Sequence, residues 1–277
     1  MIVSRETCLV IRAISVVGSA VIVNRAERGR HQKLFHGKQK TGHEMSSTFK
    51  KTITEIFKTH DMPLSEKQAA QMASYYESLV AANARFNLTA ITGEKEAALL
   101  HFFDSAFAAP ILPHNAAVID VGSGAGFPAV PLAIVREDLR VTALESAQKK
   151  CRFIEDAAQK AGVRITALCA RAEEYANREG REAFDVCVSR AVTALPALAE
   201  LCVPLVCVDG LFLAYKSDYA KELAAAKNAL SLLGAGLKER IKLPLEETSH
   251  TVLVFQKTKE TPRKYPRRYG QIKKTPL

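Results

Sequence analysis

None of the six cysteines, Cys8, Cys151, Cys169, Cys187, Cys202 and Cys207, pairs with another at C-x-x-C spacing. The common zinc and dithiol redox motifs are therefore excluded, and no metal site is expected. No apolar run reaches the ~20 residues that a bilayer crossing needs. The nearest, CLVIRAISVVGSAVIV over residues 8–23, is broken by Arg12, so neither a membrane span nor a secretory leader is expected. Nor is there a histidine or cysteine pattern suited to nucleophilic catalysis. Acidic side chains are scarce at both ends of the chain. Residues 1–44 hold eight basic residues against three acidic, and residues 256–277 hold eight against one, so the body between is slightly acidic although the total is +10. A near-neutral body with basic ends suits a polyanionic partner held by the tail. The alternative is a solvated tail that only confers solubility.

What is present is an ordinary globular composition, 48% hydrophobic and 25% charged over 277 residues, enough for one large α/β domain with extensions. Residues 1–44 lack periodicity and read as a disordered basic leader, with the working protein expected to begin near Met45. A helical extension is expected over 45–115: helical spacing from 49 to 80 with Ser65 as an N-cap, an Asn/Thr/Gly-rich loop at 83–93, and a helix over 94–109 stopped by Pro110 and Pro113. Over 116–257, β-rich runs at 117–121, 140–145, 164–170, 184–189 and 211–216 alternate with helical stretches at 130–136, 147–161, 194–206 and 219–233. That is the pattern of a doubly wound parallel sheet. Runs at 237–243 and 251–256 are joined too closely for a parallel crossover and must pair antiparallel. A mostly parallel sheet with an antiparallel last strand and an N-terminal helical extension resembles the Rossmann-like class I S-adenosylmethionine methyltransferase fold. Residues 258–277 form a basic tail. Most of the cysteines fall in apolar patterns, as small buried hydrophobes do in a reducing cytoplasm.

Asp120 to Pro128 reads DVGSGAGFP where an apolar strand gives way to a helix. Glycines there allow a sharp turn and close approach of a nucleotide-like ligand. A dinucleotide fingerprint beginning at Gly122 would need glycine at position 127, which is Phe127, so a nicotinamide oxidoreductase is disfavoured. The acidic residue ahead of Gly122, Gly124 and Gly126 suits a cationic amino-acid end. Glu145, ending the second strand, stands where such folds place the carboxylate that accepts ribose hydroxyls. Ala172 and Glu173, in RAEE after the third strand, are placed to meet the adenine edge, and Arg190 at the end of the fourth is a candidate anion holder; an ordinary helix start and a surface salt bridge are their alternatives.

DVGSGAGFPAVPLAIV at 120–135, NLTAI at 87–91, SRA at 189–191, Tyr215-Lys216 and the ending TPRKYPRRYGQIKKTPL together resemble the bacterial 16S ribosomal RNA guanine-N(7)-methyltransferase family (RsmG or GidB) over residues 49–277. Two positions depart from the usual pattern, Ser217 where glycine commonly follows Tyr-Lys and Ile272 where proline is frequent. The resemblance implies methyl transfer from S-adenosylmethionine to N7 of a guanine in the decoding-site loop. It implies cofactor contacts from Gly122, Phe127, Ala172, Glu173 and Arg190, with Gly124 and Gly126 completing the loop. Asn87, Lys216, Lys264, Arg267 and Arg268 are expected to orient RNA. Because N7 carries a free lone pair, no catalytic base is assigned. The partner expected is 16S rRNA or the small ribosomal subunit, met by a cytoplasmic monomer. A methyltransferase acting on another RNA or a protein, and a non-catalytic RNA-binding protein of the same fold, remain alternatives.

Overall fold

The computed structural model describes residues 42–91, 93–245 and 250–277; the leader and the 8–23 segment lie outside the described residues. Helices α1 (Gly42–Thr59) and α2 (Glu66–Phe86) pack against each other ahead of the sheet. Helix α2 starts at a capping box: the Ser65 hydroxyl accepts from Gln68 N–H, and the Gln68 side chain accepts from Ser65 N–H. It runs a full turn past the expected break at 83. The cause is Asn83, whose side-chain amide donates to Thr89 O and accepts from Thr89 N–H, tying the following loop back onto the last turn. The helix then ends at Asn87 in left-handed conformation, φ 49°, which asparagine tolerates.

The next helical run has a wide centre. A π turn, Ala98–Phe103, separates α3 (Glu94–Ala97) from α4 (Asp104–Ala106), and a 3-10 turn over Ala109–Ile111 brings in Pro110. Strands and helices then alternate: β1 (Ala117–Val121), α5 (Ala129–Val135), β2 (Arg140–Glu145), α6 (Gln148–Lys160), β3 (Thr166–Cys169), α7 (Ala172–Ala176), β4 (Phe184–Arg190), α8 (Leu195–Cys202), β5 (Val206–Lys216), α9 (Ala220–Ala225), α10 (Lys227–Leu233), β6 (Ala235–Lys242) and β7 (Thr251–Lys257), with α11 (Tyr269–Lys274) in the tail. The seven-stranded order is β3-β2-β1-β4-β5-β7-β6, with β7 antiparallel to both neighbours and the remaining pairings parallel. This is the expected class I methyltransferase architecture. Strand β5 begins five residues ahead of the expected 211 because its pairing with β4 shifts register between Phe184 and Val186. Polar Asp209 and Gly210 occupy that irregular stretch and hide the strand from a hydrophobic pattern.

Alternate strand residues feed two cores, as the period of two requires. Val118, Val188, Leu213 and Val254 join Phe49, Tyr75, Phe102, Phe127 and Val130 on the face covered by α1, α2 and α5. Ile119, Cys187, Phe212 and Phe255 join Leu198, Leu230, Tyr265 and Ile272 on the other. The helical extension and the tail thus cover opposite faces of one sheet. Of the cysteines described, Cys151, Cys187 and Cys202 are buried, but Cys169 is exposed, against expectation. Among the described residues, no helix is long and apolar enough to cross a membrane.

Candidate active site

The turn after β1 carries three glycines at positive φ: Gly122 at 74°, Gly124 at 61° and Gly126 at 85°. Two of them are also places where a side chain has no room. A Cβ on Gly122 would lie 2.4 Å from Val192, and one on Gly126 would lie 2.3 Å from the Tyr75 hydroxyl. That hydroxyl donates to Ala125 O at 2.9 Å, so α2 props the turn from one side. Asp120 holds it from below. Its carboxylate is wholly buried and accepts from the Ser123 hydroxyl at 2.5 Å and from Ala129 N–H at 3.1 Å. Burial pushes its pKa up to about 7, and its second oxygen has no hydrogen-bond partner among the described residues. The acidic residue that the sequence suggested for a cationic ligand end is instead the buried brace of the loop.

Glu145, at the tip of β2, leans over the same turn. One carboxylate oxygen accepts from Gly124 N–H at 3.0 Å, and the other from Ala147 N–H at 2.9 Å. Strand pairing sets Glu145 beside Cys169, which brings Ala172 and Glu173, in the first turn of α7, to the same edge of the sheet. Glycine turn, Glu145 and Glu173 therefore follow one another across the carboxyl ends of β1, β2 and β3. Backbone N–H groups, a carboxylate at a strand tip and room beside glycine suit a ligand that carries a sugar diol and a base. The order of strands reverses between β1 and β4, the position at which open α/β sheets bind ligands.

Beyond the reversal lies Arg190, and its salt bridge is buried rather than superficial. One guanidinium nitrogen donates to Leu100 O at 2.7 Å and to Asp104 at 2.8 Å; the other faces His101 Nδ1 at 3.3 Å, and the group lies 5.6 Å from the centre of the Phe127 ring. Phe127 is buried and stacks on His101 at 4.7 Å. Its ring supports Arg190 from within the core. Since a guanidinium only donates, His101 Nδ1 must accept, which places the imidazole proton on Nε2, 2.7 Å from the Thr89 hydroxyl. Burial, and secondarily Arg190, lowers the His101 pKa to about 4, so this ring is neutral at physiological pH. The π turn presents His101 and leaves Leu100 O for Arg190, and such turns recur at functional sites. Ala191, in left-handed conformation, then swings the chain over Gly122.

A cleft of about 620 Å³ opens beside this cluster, lined by His101, Asp104, Arg190, Lys216, Glu222 and His250 among others. Lys216 reaches it, but its ammonium is committed to Thr193 O and Glu222, both at 2.7 Å. Glu222 also accepts from Leu195 N–H, so this lysine locks α9 to the loop before α8.

The basic tail is packed, not merely solvated. Arg267 places its backbone N–H and guanidinium on the fully buried Glu200 of α8, at 2.6 to 2.9 Å. Its charge is thus turned inward, away from the RNA-contacting role assigned from sequence. Arg181 donates to Thr261 O and Tyr265 O, Asn177 donates to Pro266 O, and Arg171 lies 5.7 Å over the Tyr269 ring, seating the tail against α7 and α8. Arg263, Lys264, Arg268, Lys273 and Lys274 stay exposed, as does Asn87 at the end of α2.

Sequence reasoning missed Asp104, His101, His250, Tyr75 and Glu200. His101 and Asp104 carried a readable signal, two ionisable residues three apart in the otherwise uncharged helical stretch 97–109. The others carried none, because their partners are 50 to 146 residues away in the chain.

Comparison with known proteins gives a consistent result. The family model described as rRNA small subunit methyltransferase G matches residues 68–250. A protein of that name from Bacillus cereus (strain AH187) is 44% identical over 223 residues, covering 78% of this chain and 93% of its own. One from Bacillus thuringiensis (strain Al Hakam) is 44% identical over 221 residues, covering 77% and 92%.

Proposed function

The chain belongs to the GidB family, rRNA small subunit methyltransferase G, and from that membership we propose that it methylates N7 of a guanine in the decoding-site loop of 16S rRNA. It is a methyltransferase, and its cofactor is S-adenosylmethionine. The observation that carries the finer reading is the pairing of two features across the strand reversal: a glycine turn under Glu145 on one side, and the Arg190-bordered cleft on the other. On this reading 116–257 is the catalytic domain, 45–115 the helical extension, and the tail helps to hold RNA. The enzyme works in the cytoplasm as a monomer.

The residues divide the work. Glu145 would hold the ribose hydroxyls, Glu173 and the Ala172 N–H the adenine edge, and the backbone of Gly122, Gly124 and Gly126 the amino-acid end. When bound, S-adenosylmethionine supplies a methyl group on a positively charged sulfur. Guanine N7 would bring its own lone pair to that methyl group, so the residues lining the crevice would have no proton to remove and would only need to hold the two partners in line. This fits a crevice whose one deeply placed imidazole, His101, is held neutral with both nitrogens already engaged. Catalysis then rests mainly on placement, which supplies effective concentrations of ~10⁵ M or more in well-aligned systems. Arg190, braced by Phe127 and Asp104, borders both halves and fixes their separation.

Purified protein incubated with labelled S-adenosylmethionine and unmodified small-subunit RNA, free and assembled, tests the proposal once the labelled base is mapped. Label on guanine N7 in the decoding-site loop is expected. Label on another base, or on protein alone, would overturn the substrate assignment while leaving the methyltransferase intact.

A further inference from the structure

Strand β7 runs antiparallel to its neighbours, so its first residues, not its last, arrive at the carboxyl edge where the parallel strands end. Thr251 pairs with Lys216, and His250, the residue before it, lines the cleft beside Arg190 and Asp104. Its Nδ1 lies 3.3 Å from the second carboxylate oxygen of Asp104, an atom buried with no well-formed hydrogen bond among the described residues. Asp104 is therefore shared between Arg190 and His250.

The chemistry of the target edge states what such a cleft must offer. N7 of guanine has to stay free, because its lone pair is the nucleophile, while the adjacent O6 is an acceptor. Adenine carries an amino donor at that place. A donor aimed at O6 therefore holds guanine and rejects adenine without masking N7. Of the cations lining the cleft, Arg190 is bound to Leu100, Asp104 and His101, and Lys216 to Thr193 and Glu222. Among the described residues, the side chain of His250 meets a polar partner only at Nδ1, which leaves Nε2 for a ligand.

We propose that His250, oriented by Asp104, donates its Nε2–H to O6 of the target guanine and so sets the base specificity of the cleft. This rests on the guanine reading above and adds the residue that recognises the base. Asp104 raises the His250 pKa against opposing burial and the Arg190 charge; His101, Lys216, Asp218 and Glu222 also line the same space. An imidazole proton persists at Nε2 in the charged form, so recognition weakens as pH rises through the raised value.

The test compares kcat/KM of wild type, His250→Ala and His250→Arg from pH 6 to 9, on RNA with guanine or 2-aminopurine, which lacks O6, at the target. S-adenosylmethionine binding is measured alongside. Loss of a charge-assisted hydrogen bond predicts that His250→Ala falls about tenfold to hundredfold on guanine RNA at pH 7. The 2-aminopurine substitution should cost wild type a similar factor and cost the alanine variant almost nothing more. His250→Arg should recover most of the loss and lose the pH dependence, with cofactor affinity unchanged in both variants. A His250→Ala enzyme within twofold of wild type, or equal sensitivity to 2-aminopurine in the two, overturns the inference alone. If the alanine variant does not fold, a pH profile for His250→Arg that follows wild type overturns it. Wild type that leaves guanine N7 unmethylated overturns the guanine reading together with the inference.

Discussion

At the scale of single residues, burial rather than residue type decides what a charged group does here. Asp120 and Glu145 are both carboxylates at strand ends beside the glycine turn, yet Asp120 is wholly enclosed and Glu145 retains 8% of its surface. The enclosed carboxylate is driven towards its neutral form, with its pKa raised from 3.8 to about 7. Below pH ~4 Asp120 is protonated in both folded and unfolded chains. As pH rises towards 7 the unfolded chain ionises first, so this contribution to stability is progressively lost and stays lost above it. Asp120→Asn removes the titration but keeps an oxygen for Ser123 and Ala129. The variant should therefore gain on wild type between pH 4 and 7, by on the order of 3 kcal/mol, then hold a constant difference. Urea midpoints at pH 4.5, 6 and 8 read this directly, and parallel profiles would contradict it.

At the scale of elements, one ion pair attaches the tail to the sheet's second face. Glu200 sits in α8 with no exposed surface, and the Arg267 guanidinium and backbone N–H both satisfy it. Removing Arg267 leaves a buried carboxylate without its countercharge, whereas replacing both partners removes the cost of that exposure to apolar surroundings. Arg267→Ala is expected to destabilise by about 3 kcal/mol and to make the bonds after residue 258 sensitive to protease. The double variant Arg267→Met with Glu200→Leu should recover much of the stability. If the single and double variants unfold at the same denaturant concentration, the pair is not what seats the tail. The same element explains a limit of sequence reading. KYPRR is visibly basic, but nothing in it shows that one of its two arginines faces inward.

At the scale of the whole molecule, the two ends of the described chain cover opposite faces of the sheet while both reach towards its carboxyl edge. The helical extension supplies Tyr75, His101 and Asp104 to the site, and the tail rests against α7, whose first turn carries Glu173. The cations that remain outward, Lys264 and Arg268 among them, are the ones available to phosphate. Lys264→Glu with Arg268→Glu should weaken RNA binding and reduce the slope of log affinity against log salt by about 2, with S-adenosylmethionine affinity unaltered. Filter binding between 50 and 200 mM salt checks this, and an unchanged slope would remove the tail from the RNA interface.

How much was legible in advance follows from the range of the forces involved. Strand and helix order, the glycine turn, Glu145 at the tip of β2 and the antiparallel end of the sheet could all be read from the chain, because periodicity, turn chemistry and connection length act over a few residues. The sequence by itself determined that a glycine turn follows the first strand and that the chain ends in a basic segment. Only the tertiary structure decided which charges are spent inside the protein: it buried Asp120, turned Arg267 onto Glu200, shared Asp104 between Arg190 and His250, and committed Lys216 to Glu222. The reason is physical. Desolvation and ion pairing depend on where distant segments meet, and that is fixed when two layers of helices close on one sheet.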